Sequence, residues 1–330
     1  MIIKTIKLQN FRIHEKYKLN CQKKTSLIVG ENGCGKTSVL EAIYIMLQGK
    51  SFRAVDREII QRGRKFYRIE LEYQNGEKNI MVYDGVRKNF IIKDRKFVRL
   101  PKKNRYPVIL FKPDDLNLIG ASPVRRRDYF DKFFSQLDQN YNNSLLKYNK
   151  VLKQRNELLK QDYVKKELIF SWDILLAQYG VDLILKRKKY ITEINQLITK
   201  TYRSIANNQD EVEILYQNNY KETESEYLKK LEDSLEKDRF LGYTSFGIHR
   251  DNYEFIFNQV LADGSASRGE VRSLILALKF IEAEFLTKYL NKKPVILLDD
   301  VFSELDEVRQ KCLVKNFKNN QVIITSVDEI

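Results

Sequence analysis

Eight consecutive residues, Gly30-Glu31-Asn32-Gly33-Cys34-Gly35-Lys36-Thr37, match G-x-x-x-x-G-K-[ST] at every fixed position. A loop of this kind holds phosphate because the N–H groups of its glycine-rich turn and of the helix that follows converge on the anion. Lys36 would reach the β and γ phosphates of ATP, the Thr37 hydroxyl would ligate Mg2+, and Ser38 closes the nucleotide-binding stretch. Cys34 reads as a small filler where a serine-sized residue suits, with a redox switch as the alternative.

A second group of acids lies near the other end of the chain. Val295-Ile-Leu-Leu-Asp299-Asp300 has the pattern of a buried strand ending in two carboxylates. Alone this is an ordinary strand end. Beside a phosphate loop it reads as a Walker B element, in which Asp299 holds Mg2+ through water and Asp300 polarises the attacking water. Lys36 and Asp300 are therefore the candidate catalytic residues. Between the two groups, Ser267-Arg268-Gly269-Glu270 opens a helix. Ser followed three residues later by Glu is a capping box, although a capping box alone does not require Gly269.

These groups need strands and helices to bring them together. The first 120 residues read as mixed α/β, with strand patterns at 2–8, 26–29, 66–73, 79–83, 89–93 and 106–111. Asn75-Gly76 marks a hairpin. A helix is expected over 36–47, with Val39, Leu40, Ile43 and Leu47 on one face. From Ser122 to Lys237 apolar residues recur at three- and four-residue steps, which predicts two long antiparallel amphipathic helices breaking near Gln161-Asp162. Strands at 244–248 and 253–257, helix 268–289, strand 295–298, helix 307–317 and strand 322–325 complete the pattern. The expected fold is α/β: a head made of residues 1–120 and 240–330, with residues 121–239 inserted as a helical second lobe.

Composition limits the function classes. The chain has 330 residues, 43% hydrophobic and 31% charged, as a folded protein does. Its longest apolar runs are strand-length, short of the roughly 20 residues of a membrane span, so no membrane partner is expected. The N-terminus lacks a signal-peptide pattern. Three cysteines argue against a disulfide scaffold and for a reducing compartment, and two histidines without a CxxC pair argue against zinc. The net charge of +15 fits either a polyanionic partner or the lysine bias of an AT-rich genome. Three basic clusters are candidate DNA contacts: Lys93, Arg95, Lys96, Lys102, Lys103 and Arg105; Arg125, Arg126 and Arg127; and Lys186, Arg187, Lys188 and Lys189. Such groups neutralise phosphates without reading bases.

Placed before the paired acids, Ser267-Arg268-Gly269-Glu270 resembles the signature loop of ABC-type ATPases, and Ser303-Glu304-Leu305-Asp306 resembles their D-loop. In that class the signature serine touches the γ-phosphate bound to the opposite subunit. Lys36 and Asp299 lie much further apart than a transporter ATPase requires. The insertion and the opening Leu8-Gln9-Asn10-Phe11-Arg12 are similar to SMC-like ATPases, with Arg12 then near the nucleotide. Gly49-Lys50-Ser51-Phe52-Arg53, Phe111-Lys112-Pro113-Asp114-Asp115-Leu116, the run from Pro123 to Asp131, Gly247-Ile248-His249-Arg250-Asp251 and the run from Leu298 to Arg309 narrow the resemblance to the bacterial RecF family, in that family's order.

The resemblance implies an ATP-dependent homodimer that clamps duplex DNA near single-strand gaps in the nucleoid of the cytoplasm. It also implies RecR and RecO as partners in loading RecA, and slow, DNA-stimulated ATP hydrolysis. Another SMC-like head, serving a DNA-tethering or nuclease-associated assembly, is the alternative. There are departures: Ala121 replaces an expected Gly and Ile248 an expected Pro, and no Gln marks a Q-loop, where Asp114 or Asp115 would serve. Ile324-Thr325-Ser326-Val327 lacks the transporter switch His. The pattern also ends soon after this strand, so a final element of the family is expected to be missing. His249 and Arg250 read as organisers or packing residues.

Overall fold

A computed structural model describes every residue except Met1, Asp162, Val164, Asn219, Lys221 and residues 328–330. Asp162, half of the expected helix break, therefore lies outside the described residues. In chain order the strands and helices are β1 (Ile3–Phe11), β2 (His14–Asn20), β3 (Thr25–Val29), α1 (Lys36–Gln48), β4 (Tyr67–Tyr73), β5 (Lys78–Tyr83), β6 (Lys88–Ile92), β7 (Arg95–Phe97), β8 (Val108–Phe111), α2 (Pro123–Leu137), α3 (Gln139–Leu159) and α4 (Lys166–Ala206). They continue with β9 (Val212–Gln217), α5 (Glu224–Asp233), α6 (Leu235–Leu241), β10 (Asn252–Phe257), β11 (Val260–Leu261), α7 (Arg268–Leu290), β12 (Val295–Asp299), α8 (Glu307–Asn316) and β13 (Val322–Ser326).

The chain divides into two compact units, Met1–Asp115 with Glu282–Ile330, and Leu116–Ile281. The return to the first unit falls inside α7, not near residue 240 as the sequence pattern implied. The reason is strand pairing: β10 and β11 form a three-stranded sheet with β9 of the insertion.

In the first unit the central strands β12 and β13 are buried at every position, as expected for a parallel sheet covered on both faces. The order is β3-β13-β12-β8, all parallel, so four strands end on the same side. A six-stranded antiparallel sheet, β2-β1-β4-β5-β6-β7, forms the other layer. Its β4 alternates buried and half-buried positions. Helix α1 touches strands of both sheets, and for that reason Ala42, Ile45 and Met46 are buried as well as the single expected face. At the hairpin Gly76 alone takes a left-handed conformation (φ 82°), and Tyr73 N–H donates to Glu77 O at 2.9 Å, closing a three-residue loop.

In the second unit α3 and α4 run antiparallel, with Ser144 bonded to Asp182 at 2.7 Å and Arg155 to Asp173 at 2.5 Å. The first of the two expected long helices is in fact two. Asp138 takes an extended conformation (φ −130°, ψ 114°) and its carboxylate accepts the Asn140 N–H, starting α3 afresh. Strand β9, unexpected inside the helical period, is held by α4 as well as by β10: the Asn195 amide exchanges two 2.9 Å bonds with the Ile214 backbone. The strand expected at 244–248 is irregular, because side chains take its backbone bonds. Thr244 N–H donates to Asn156, Ser245 N–H to Asp238, and Ile248 N–H to Tyr227. Helix α4 contains an 18-residue window of mean hydropathy 1.5 that the strand-length runs do not reveal, and 44% of that window is buried inside the protein.

Candidate functional site

The carboxyl ends of the parallel strands bring the two separated motifs together, as ligand sites of open α/β sheets require. Strand β3 runs into Gly30, whose N–H is held by Ser326 O at the end of β13. Gly35 is the residue before α1 and takes φ 95°. The conformation requires glycine, and a Cβ there would also lie 2.5 Å from His14 Nε2, displacing the ring that bonds Gly35 O. No acidic residue occupies the first turn of α1, leaving the positive end of its dipole for an anion. Lys36 is buried and curls back to the carbonyls of Gly30 (2.6 Å) and Glu31 (3.1 Å). Gly33, Gly35, Lys36, Thr37, Ser38 and Asn32 line a cavity of about 560 Å³ together with Arg12, Arg53 and Asp300. Cys34 is an exposed free thiol. Glu31 contributes its carbonyl to the Lys36 hold.

Thr37 Oγ1 donates to Asp299 Oδ1 at 2.7 Å, joining residues 262 positions apart. Thr325 on β13 adds a bond to the same oxygen at 3.2 Å and accepts the Asp300 N–H at 2.9 Å. Burial raises the Asp299 pKa, as does Asp300, against the lowering effect of the two hydroxyls. Asp300 turns into the left-handed region (φ 52°), and its buried Oδ1 has no hydrogen-bond partner among the described residues. Oxygen donors of this kind suit a hard divalent cation.

A cluster that motif reading only half revealed flanks the loop. Glu41, fully buried on α1, accepts from Arg12 (2.9 and 3.0 Å), Arg53 (3.0 Å) and Ser51 (2.6 Å). Burial would raise its pKa, but these bonds outweigh it and the net shift is downward. Arg53 also reaches Ser38 at 3.2 Å, and His14 donates to Gly35 O at 3.1 Å. Arg12 was expected here from the opening motif. Arg53 and Thr325 were visible only as parts of quoted runs, and nothing local in sequence pointed to His14 or Glu41.

In the second unit Ser267 and Glu270 form the reciprocal capping box, with Ser267 N–H on Glu270 Oε2 at 2.6 Å and Glu270 N–H on Ser267 Oγ at 3.3 Å. Ser267 and Arg268 are exposed, and Gly269 is half-buried between Arg268 and Glu270. In the first unit Ser303 Oγ donates to Asp300 O at 2.9 Å, and Asp306 caps α8 by accepting the Arg309 N–H at 3.0 Å.

Of the basic candidates, Lys93, Arg95, Lys96, Lys102, Lys103 and Arg105 are exposed, as are Arg125 and Lys189. Two expectations are corrected. Arg126 is buried and bonded to the carbonyls of Ile119 and Ala121 and to Asn252, and Arg187 is buried against Asp131, Tyr141 and Ile248 O. Both guanidiniums fix the interior of the unit and are not surface contacts. Arg127 is half-buried and donates to Asp251 O at 2.6 Å. Lys186 pairs with Asp182 and Lys188 with Glu222. His249 is internal: Nε2 donates to Thr244 O at 3.0 Å and Nδ1 accepts from Tyr148 at 2.9 Å, with burial lowering its pKa to about 4.

The chain matches the AAA ATPase domain family over residues 1–326. It is 33% identical over 335 residues to the DNA replication and repair protein RecF of Clostridium perfringens (strain SM101 / Type A), covering 98% of this chain and 92% of that one. Two solved structures of the recombination mediator protein RecF in the RecFOR pathway, RecF-ATPrS and RecF-ATP, superpose with TM-scores of 0.89 and 0.88. Each is 30% identical and covers 99% of this chain and 92% of its own. An Smc head domain from Pyrococcus furiosus, 14% identical over 99% of this chain and 90% of its own with a TM-score of 0.54, shares the fold.

Proposed function

The chain belongs to the RecF family of DNA replication and repair proteins, and from that premise we propose that it is an ATP-driven DNA clamp of recombinational repair. The ATPase reading rests most on the Thr37–Asp299 bond, which joins the phosphate loop to the acid pair. Lys36 leaves the Gly30 and Glu31 carbonyls to bind the β and γ phosphates, and the N–H groups at the start of α1 hold the rest. Thr37 and Asp299 would hold Mg2+, which would supply positive charge against the phosphates. Asp300, through its unpartnered oxygen, orients the attacking water and takes its proton. Arg12 and Arg53, steered by Glu41, add positive charge to the cavity wall.

The exposed Ser267 helix start belongs to a different compact unit from the phosphate loop. It supports the reading that Ser267 to Glu270 complete the ATP site of a second copy, with Ser303 and Asp306 at the same junction. ATP then joins two chains around duplex DNA beside a single-strand gap. The exposed basic residues from Lys93 to Arg105, with Arg125 and Lys189, hold phosphates. The clamp works with RecO and RecR to load RecA, and slow hydrolysis releases it. The division of labour is a head of residues 1–115 and 282–330 that binds ATP and a second lobe that presents the signature helix.

Lys36→Ala is expected to abolish ATP binding. Ser267→Ala is expected to keep ATP binding but lose ATP-driven dimerisation in light scattering. ATPase rate and DNA retention are to be compared on duplex, single-stranded and gapped DNA; absence of any preference for duplex-containing substrates would contradict the mediator role.

A further inference from the structure

The carboxyl ends of the four parallel strands carry the ATP site; their amino ends open into a groove of about 880 Å³ within the same unit. Each strand start has a cation before it in the groove lining: Lys24 before β3, Lys318 before β13, Lys293 before β12 and Arg105 before β8. Because the strands are neighbours in that order, the charges form a row rather than a scatter. At 4.7–4.9 Å between strands the four strand starts span roughly 15 Å, the rise of about four nucleotides of one DNA strand.

The loops bearing these cations are tied to one another. Gln321, buried, donates to Ile3 O (2.7 Å) and Gln22 O (3.0 Å) and accepts the Ile3 N–H (2.8 Å). Asn320 donates to Pro294 O at 2.8 Å, and Val322 N–H donates to Lys24 O at 2.7 Å. Among the described residues the one carboxylate in the lining, Glu77, is paired with Lys93 at 2.9 Å. Among the described residues Lys24, Lys293 and Lys318 are exposed and have no carboxylate within ion-pair distance. The remaining polar lining is largely carboxamide, including Asn79, Asn104 and Asn319, which suits phosphate and sugar oxygens. Tyr73 is buried and Tyr106 lies under Lys292, so among the described residues the lining offers no aromatic platform to bases and no exposed apolar anchor to a protein.

We infer that this groove binds the DNA phosphate backbone, independently of sequence and of nucleotide, as a contact at the end of the sheet opposite the ATP site. The inference rests on the DNA-binding reading above and extends it to Lys24, Lys293 and Lys318, which belong to none of the three basic clusters.

The test is anisotropy of a labelled duplex with the full chain, without nucleotide, across a salt series. Lys24→Gln, Lys293→Gln and Lys318→Gln together are expected to weaken binding and to flatten the slope of log affinity against log salt by about 0.9 per lysine. ATP binding should be unchanged, which also reports that the variant is folded. Each single variant should flatten the slope by about 0.9, so the measurement does not depend on the triple variant. Glu77→Gln removes the one opposing charge and should tighten binding, an effect that a purely structural role would not produce. Wild-type affinity and slope in the triple variant would overturn the inference while leaving the clamp reading intact. Failure of the wild type to bind any DNA, with or without ATP, would overturn both. If the triple variant loses polyglutamate binding but keeps duplex binding, the groove belongs to an acidic polypeptide and the inference fails.

Discussion

Glu41 is the residue that positions the two arginines of the ATP-site wall. Two arginines and a serine converge on a carboxylate with no exposure to solvent. Glu41→Gln leaves two guanidiniums facing a neutral amide and should destabilise the protein by about 3 kcal/mol in urea denaturation, with weaker ATP binding. His249 gives a pH dependence of opposite origin. Burial lowers its pKa to about 4 from the usual value near 6.5, so the ring is neutral near pH 7, and with Nε2 donating to the Thr244 carbonyl, Nδ1 is left to accept the Tyr148 hydroxyl. The folded state therefore disfavours the proton. This contribution to stability is full above about pH 6.5 and is lost as the pH falls from there towards 4. In His249→Gln the fall in urea midpoint over that window should shrink; an unchanged pH profile would rule out His249 as its source. At this scale the sequence was a good guide where chemistry is local. The G-x-x-x-x-G-K-T run names its own residues, and Asp299, read as the acid at a strand end, lies within hydrogen-bond distance of Thr37. It was a poor guide to Arg126 and Arg187. A run of like charges looks the same whether a member points outward or reaches back to Asn252 or Asp131, and the partner is far away in sequence.

Among the elements, the strands of the parallel sheet were legible because burial on both faces demands a continuous apolar run, as in Val295–Asp299. Breaks inside the helical period were not. The apolar repeat from Phe130 to Leu159 continues through Asp138, and only the capping geometry shows that α3 begins there. Asp138→Ala should therefore cost about 1 kcal/mol, read as a lowered urea midpoint. Asp138→Asn should cost much less, since an asparagine can still cap. The 244–248 segment carries the converse lesson. Its residues suit a strand, but Asn156, Asp238 and Tyr227 take the backbone donors that a neighbouring strand would need. Strand β9 was hidden for a related reason, since one edge is satisfied by the Asn195 side chain rather than by a second strand.

For the whole molecule, the net charge of +15 is ambiguous as a total and informative as a distribution. Part of it is internal, in Arg126, Arg155 and Arg187, and part is paired at the surface. The unpaired remainder includes the row of cations at the amino ends of the parallel strands, which no contiguous segment of sequence displays. The discontinuous head has the same character, with β12 and β13 returning after the insertion to pair with β8 and β3. In the proposed clamp each ATP site is shared between two chains. Mixing Lys36→Ala protein with Ser267→Ala protein tests it most directly, with DNA-stimulated ATPase as the readout. Neither variant alone has a complete site, but a mixed dimer regains one, formed by the intact phosphate loop of one chain and the intact Ser267 of the other. The mixture is expected to recover a substantial fraction of wild-type activity. Activity no greater than the sum of the two variants measured separately would contradict it.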